Sequence, residues 1–404
     1  MGAKVSDVLF SAVGDIAFFE QIEKDVRAKG FSWPFERMLP FLKNSDLLFG
    51  NMESVLIPKS YPKRKLDPHG LVSTLDGEKV SALLKQTGFD FLNMAANHVV
   101  DAGRVGMDYT KKCLEKAGIV TGGTGHSQKE ARKLKVIEKN GITFGFLCYC
   151  EDSNYSLGHT EAGPAFYDVE TILQDVKKNK KKVDILVISV HADLEFMPVP
   201  SVPRRDNFRK IARAGADIIL AHHPHVPQGI ETVNGCLIAY SLGNFVFPSH
   251  TSNYMKANGP YTAYSFLLNI NVGKKGVKSF ERIPCRINEV PDQRPKPLIG
   301  DEYNKIMKYY STLDKLLKND KFVRETWRKI AVKHLEIYIK RAGERKIENV
   351  IEEMVGRLCL VAENKSWMDE IMNMAKESWE KQKKLRDPLH KPNYRFQMNK
   401  NNMK

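Results

Sequence analysis

Long apolar runs are missing from this 404-residue chain. The first apolar stretch is only Val8 to Val13 and ends in Gly14-Asp15, so nothing near the start reads as a signal peptide. No run approaches the roughly 18 apolar residues of a membrane span, which predicts a cytoplasmic protein with no transmembrane segment. Cysteine is scarce too. Six are scattered along the chain, with Cys148 and Cys150 inside an apolar run, which predicts reduced core thiols rather than disulfides. Thr121-Gly122-Gly123-Thr124-Gly125 lacks the Lys of a phosphate-binding loop and reads as a tight turn. Ser241 sits outside any Gly-x-Ser-x-Gly elbow, which argues against a serine hydrolase.

Acidic residues are outnumbered, 48 against 63 Lys and Arg, leaving a net charge of +15 that suits an anionic partner. From Asp301 onward 24 basic residues face 16 acidic ones, so +8 of that excess lies in the last quarter. No aromatic-basic groove or nucleic-acid motif accompanies it, so a solvated surface is the better reading and nucleic acid is not the expected partner.

What the chain does contain is an alternation of short apolar strands with helical patterns. Val8–Val13, Leu47–Gly50, Phe91–Met94, Ile142–Tyr149, Ile185–Val190 and Ile218–Ala221 read as strands. Between them Pro34–Leu42, Gly77–Lys85, Gly106–Lys116, Val169–Asn179 and Arg204–Ala214 carry helical spacing, which predicts a layered α/β fold. After Cys236 strand runs follow without helices (Leu237–Tyr240, Tyr264–Val272, Lys278–Ile283), which predicts a more antiparallel completion of the core. We expect a first domain over residues 1–290, a Pro-rich linker over 291–300, a basic helical extension over 301–386 and a polar tail over 387–404. In the extension, Ile306, Tyr310, Leu313 and Leu317 share one helical face, and Ile347, Ile351, Met354 and Leu358 another.

The chemical signal lies where strand runs end. His222, His223 and His225 crowd one four-residue window, out of 11 His in all, directly after the run ending at Ala221. Asp15, Asn51, Glu53, Asn97, His98 and His191 occupy similar positions, and strand carboxyl ends are where α/β sheets gather their ligands. Asp, Glu, Asn and His together suit a borderline divalent cation, and two ions fit if Glu53 bridges them. Such a cation acidifies water and polarises a phosphoryl or carbonyl oxygen, and a neighbouring imidazole, for which His98 is best placed, can protonate a leaving group. Arg204 and Arg205 read either as contacts for an anionic substrate or as a solvated helix start.

These motifs resemble those of the CapA, or poly-γ-glutamate capsule biosynthesis, family, whose fold is similar to the calcineurin-like metallophosphoesterases. They are Gly14-Asp15, Asp46 with Asn51-Met52-Glu53, Ala96-Asn97-His98 with Asp101 and Gly103, and Ala117-Gly118-Ile119. His191 with Glu195, Ala214-Gly215-Ala216-Asp217, His222-His223-Pro224-His225 and Tyr240-Ser241-Leu242-Gly243-Asn244-Phe245 complete the set. They run in family order from Asp7 to Ile287, about 70% of the chain.

The resemblance implies a metallophosphoesterase-like β-sandwich flanked by helices. It also implies Asp15 and His225 on one metal, Glu53 as bridging carboxylate, and Asn97, His191 and His223 on a second. His98, with Asn97 and Asp15, would carry the chemistry, and Asn51, Glu195, His222, Ser241 and Asn244 would bind substrate or orient ligands. One or two ions of Mn, Fe, Zn or Mg are implied. So is metal-dependent hydrolysis of an anionic small molecule or polymer, a phosphoester or a γ-glutamyl-type amide, alongside capsule or poly-γ-glutamate synthase components. The alternatives are a non-catalytic accessory protein that binds polymer or synthase, and a general metallophosphodiesterase. Ala17 stands where the phosphoesterases usually place a His, which removes one ligand from the first metal. Ala96, Asp193, Ala221 and Phe19-Glu20-Gln21 also depart from many relatives and bear on the substrate.

Overall fold

Apolar residues alternate so strongly along Val8–Ile16 that both faces of the strand are buried: Val8, Phe10 and Ala12 join one cluster, Val13 and Ile16 another. Leu47–Met52 divides the same way, with Leu47 and Phe49 on one side and Leu48 and Met52 on the other. Strands buried on both faces belong in the middle of a layered protein. The computed structural model, which describes residues 6–62, 64, 70–151, 162–248, 253–287, 293–344 and 362–385, places them there.

Two sheets stack face to face. The first runs Lys296–Pro297, Gly276–Arg286, Tyr264–Gly273, Val8–Ile16, Leu47–Met52, Phe89–Asn93, Val120–Gly122, and Asn244–Val246 also pairs with Val8–Ile16. The second runs Ile230–Val233, Cys236–Ala239, Ile218–His222, Ile185–His191, Ile142–Cys150, Lys135–Lys139. In each sheet the central strands that carry the polar ends are parallel. Phe10, Phe49, Phe91, Phe144 and Phe146 fill the space between the sheets, Phe91 stacking on Phe146 at 4.1 Å between centroids. Glu20–Lys29, Gly77–Thr87 and Gly103–Lys116 cover the outer face of the first sheet, and Val169–Asn179 with Val202–Arg213 covers the second.

The layered α/β sandwich expected from the sequence is therefore observed. The antiparallel completion is also present, since Tyr264–Gly273 pairs antiparallel with both Val8–Ile16 and Gly276–Arg286. The helix expected over Pro34–Leu42 is instead a 3-10 turn, Trp33–Phe35, and a single helical turn, Leu39–Leu42. Pro40 lacks the N–H that a continuous helix requires. The tight turn expected over Thr121–Gly125 is instead two short strands, Val120–Gly122 and Thr124–Gly125, joined by a bend at Gly123, whose φ of +92° suits glycine. Cys113, Cys148, Cys236 and Cys285 are buried thiols.

Helix Gly300–Leu317 buries Ile306, Tyr310, Leu313 and Leu317, the face read from the sequence, against the sandwich. Tyr310 Oη donates to the Ser265 carbonyl at 2.9 Å. Helices Asp320–Gly343 and Ala362–Leu385 pack on each other and enclose Leu194, Met197 and Val199 with Val323, Trp327, Ala331 and Trp367. Ile347, Ile351, Met354 and Leu358, and the tail over 387–404, lie outside the described residues. No described helix is long and apolar enough to cross a membrane.

Candidate metal centre

The first sheet sets four polar residues in one row across its strand ends. Asp15 is in register with Asn51 and with Asn244, and Asn51 with Asn93. In the second sheet His191 lies beside His222. The row depends on Gly14, because a Cβ there would lie 1.7 Å from the Gly243 carbonyl oxygen. With only hydrogen at that position the chain closes up, and the Asp15 N–H donates to the same oxygen at 3.0 Å.

Across the two sheets the side chains converge. Asn51 Nδ2 donates to Asp15 Oδ1 at 2.8 Å and to His191 Nδ1 at 3.2 Å, and its Oδ1 accepts from Asn93 Nδ2 at 2.6 Å. With Nδ1 accepting, His191 Nε2 donates to Asn97 Oδ1 at 2.9 Å. His222 Nδ1 lies 3.4 Å from Asp15 Oδ1 and His225 Nδ1 3.5 Å from Asp15 Oδ2. His225 Nε2 lies 3.6 Å from both Glu53 Oε1 and Glu195 Oε1, and its Nδ1 is 2.8 Å from Asn244 Oδ1. Glu53, His223 and His225 each bring a ligand-type atom within 4.8 Å of the others.

Two predicted residues stand apart from this knot. His98 is at the rim, its side chain 12% exposed, with Nδ1 2.5 Å from Asp101 Oδ2. That same oxygen accepts the Leu71 N–H at 2.7 Å, which pins the carboxylate that orients the ring. Among the described residues Ser241 makes no hydrogen bond to the cluster; its Oγ accepts the Gly243 N–H at 3.1 Å and shapes the turn that delivers Asn244. Arg204 and Arg205 are buried, which rules out the solvated helix start. Arg204 is buried against Glu151 at 2.5 Å and over the Tyr167 ring, and Arg205 holds the Leu317 carbonyl and Asp320. Asn93 is not among the residues that the sequence singles out, although it ends a strand just as Asn51 does.

The loops bearing these side chains are bent into left-handed backbone at four non-glycine positions: Asp193 (φ 87°), Phe196 (61°), His223 (95°) and His225 (56°). Each costs on the order of 1–3 kcal/mol and persists only where packing dictates it. Phe196 packs on the first-sheet cluster and its N–H donates to the Pro224 carbonyl at 2.8 Å, while the C-terminal helices support the loop around Asp193. Trp327 Nε1 donates to the Pro200 carbonyl at 2.8 Å, and Ser366 Oγ donates to Asp193 Oδ1 at 3.3 Å.

Burial and crowding set the charges. Burial pushes the Glu53 carboxyl well above its usual range, against the pull of the His225 charge. Burial also works against ionisation of Asp15, but the close approach of the His222 ring, with help from His225 and Asn51, prevails and holds it below its usual value. His191 is driven well below 6.5 by burial and by the other imidazoles, and His223 falls to about 4, chiefly through burial. For His225 burial is outweighed by the carboxylates of Glu53, Glu195 and Asp15, which lift it to about 10.

Metal-free protein should accordingly be most stable near pH 6.5. The His223 contribution is complete above its unfolded value of 6.5 and is lost as pH falls towards 4, about 3 kcal/mol in all. The His225 contribution is complete below 6.5 and is lost as pH rises towards 10. Thermal midpoints of chelator-stripped protein across pH 4.5–9 test this, and a flat profile would contradict it.

Several atoms here fit a cation better than they fit each other. Asp15 Oδ2, both oxygens of Glu53 and both ring nitrogens of His222 are buried without a hydrogen-bond partner among the described residues. Leaving so many polar atoms unsatisfied is costly unless another group satisfies them, and carboxylate oxygen with imidazole nitrogen is the donor set of a borderline divalent ion.

A layered α/β sandwich with a carboxylate–imidazole cluster at the joined strand ends defines a class of protein able to take a divalent cation at that edge. Residues 9–249 match the family model described as "Bacterial capsule synthesis protein PGA_cap", and the chain belongs to this family. It is 32% identical over 323 residues to the "PGA biosynthesis protein CapA" of Bacillus subtilis (strain 168), covering 78% of this chain and 80% of that relative. It is 30% identical over 294 residues to the "Capsule biosynthesis protein CapA" of Bacillus anthracis, covering 71% and 68%. A solved structure of a hypothetical protein from Thermus thermophilus aligns with 68% of this chain and 98% of its own at a TM-score of 0.43 and 13% identity.

Proposed function

We propose that this capsule-synthesis family member is a metal-dependent hydrolase of the metallophosphoesterase kind, acting on an anionic substrate, a phosphoester or γ-glutamyl-type amide, in poly-γ-glutamate metabolism. The observation that carries the reading is Glu53, whose two buried oxygens have no hydrogen-bond donor among the described residues and whose Oε1 faces the imidazoles of His191 and His225. Asp15 and His225 would hold one ion, Asn97, His191 and His223 a second, with Glu53 between them. Ala17 supplies no ligand, so the first position is the weaker one. A divalent cation there supplies Lewis acidity and lowers the pKa of its water from 15.7 to about 7.

The protein's own groups do the rest. Asn51, fixed by Asn93, sets the orientation of Asp15 and His191. His98, steadied by Asp101 and standing at the open rim, gives its proton to the leaving group. Glu195 and Asn244 hold His225 from opposite ring nitrogens.

Metal analysis of the purified protein, with turnover of phosphodiester and γ-glutamyl substrates, tests this. Wild type should retain divalent metal, and Asp15→Ala and His223→Ala should lose it together with activity. Metal added to stripped protein at pH 7.5 should release at least one proton, because His225 at about 10 must become neutral to act as a ligand. Wild type that holds no metal, or ligand variants that keep full activity, would overturn the reading.

A further inference from the structure

A groove of about 760 Å³ opens beside the metal centre, between the loop that carries Glu195 and the C-terminal helix Asp320–Gly343. Its inner end is Glu195 and Phe196, and both touch the cluster: the Glu195 carboxylate at 3.6 Å from His225 Nε2, the Phe196 ring centroid 6.1 Å from that of His225. Its outer wall is a single stripe of the helix. Ile330, Lys333, Ile337 and Arg341 follow one another at the three- and four-residue spacings that share a helical face. The same helix is anchored along the adjoining strip, where Val323, Trp327 and Ala331 are buried. The stripe is therefore held in place, Ile330 packing against that buried cluster while Ile337 remains 39% exposed.

Charge on this wall is of one sign. Lys333 and Arg341 form no ion pair among the described residues, and the opposite rim, Ala257, Asn258 and Gly259, is uncharged. Glu195 is the one carboxylate among the groove's lining residues, and it is taken up by His225. The two cations are eight residues apart, about 12 Å along the helix, with Ile337 between them. That spacing is sparse for a nucleic-acid backbone, and the Tyr338 ring already stacks on Trp367 at 5.7 Å instead of offering a face to a base. It suits a chain whose carboxylates are separated by methylene stems that can lie on Ile330, Ile337 and Met197.

We propose that this groove is a subsite for an acidic, carboxylate-bearing oligomer, which lies along the helix with Lys333 and Arg341 pairing its carboxylates while one end reaches the metal centre. The inference rests on the proposed function for its substrate class, but binding tests it independently of turnover.

The experiment measures fluorescence anisotropy of fluorescein-labelled γ-linked glutamate oligomers with wild type, K333E/R341E and the milder K333Q/R341Q. Charge reversal should weaken binding at least tenfold and neutralisation about threefold, while metal content, thermal midpoint and turnover of bis(p-nitrophenyl) phosphate stay at wild-type levels. Binding within twofold of wild type for K333E/R341E overturns the proposal. So does displacement of the labelled oligomer by oligothymidylate at equal or lower concentration, which would make the groove a nucleic-acid site. If the oligomer binds with the expected sensitivity and nothing is hydrolysed, the groove stands and the hydrolase reading falls. If the small phosphodiester is hydrolysed but the oligomer does not bind, the groove falls alone.

Discussion

Replacing Glu53 by Gln is expected to strip the protein of its divalent cation, cut turnover by at least about a thousandfold, and at the same time stabilise the metal-free fold. The two effects have opposite signs because the same feature causes both. Glu53 is fully buried, neither oxygen receives a hydrogen bond among the described residues, and burial raises its pKa well above the usual carboxylate range. An ionised carboxylate in that position is destabilising until a cation neutralises it. Gln keeps the volume and removes the charge, for a gain of about 1–3 kcal/mol in stripped protein. A group whose folded pKa is raised loses its stabilising contribution as pH rises, so the advantage of Gln should be small near pH 5 and grow towards pH 9. Metal content by mass spectrometry and thermal midpoints in chelator measure both halves. A Glu53→Gln protein that keeps stoichiometric metal, or melts lower than wild type in chelator, would contradict the argument.

Removing His98 as Ala should lower kcat by about 10²–10⁴-fold on substrates with alkoxide or amine leaving groups. With p-nitrophenolate, which departs without a proton, the loss should be under about tenfold. His98 lies outside the ligand knot, at its rim, so metal content should not change. Asp101→Asn should reproduce part of the effect, since Asp101 accepts from the Leu71 backbone as well as facing His98 Nδ1. Equal losses on both substrate types would show that His98 holds substrate or structure instead of supplying a proton.

Much of this is legible in the chain because buried parallel strands leave a simple mark, an apolar run ending in a polar residue. Asp15, Asn51, His191 and His222 all carry that mark, and they do lie side by side across the sheets. Asn93 escapes because Asn97, four residues on, belongs to the louder Asn-His pair. Helix Glu20–Lys29 escapes because Ile22 and Val26 are its only buried apolar residues, too few to show a period. Pro40 sits inside a convincing helical pattern and breaks it. The support given by the C-terminal helices has no local signature, since Trp327 meets the Pro200 carbonyl across 127 positions of sequence. Nor can the contact between Glu195 and His225 be read from sequence, because it depends on left-handed backbone at Phe196 and His225.

The close approach of Gly14 to Gly243 also governs when the site can exist. Asp15 meets Asn51 early but its other register partner, Asn244, only after Asn244–Val246 has been made, so no fragment ending before that strand contains the full polar row. At synthesis rates of roughly 5–20 residues per second, the intervening stretch leaves Asp15 waiting on the order of 10–50 s. For most of that interval the chain holds Glu53 and Asp15 without His223 and His225. On the proposed function, an emerging chain thus has no finished cation site, and metal binding would report that the sandwich has closed.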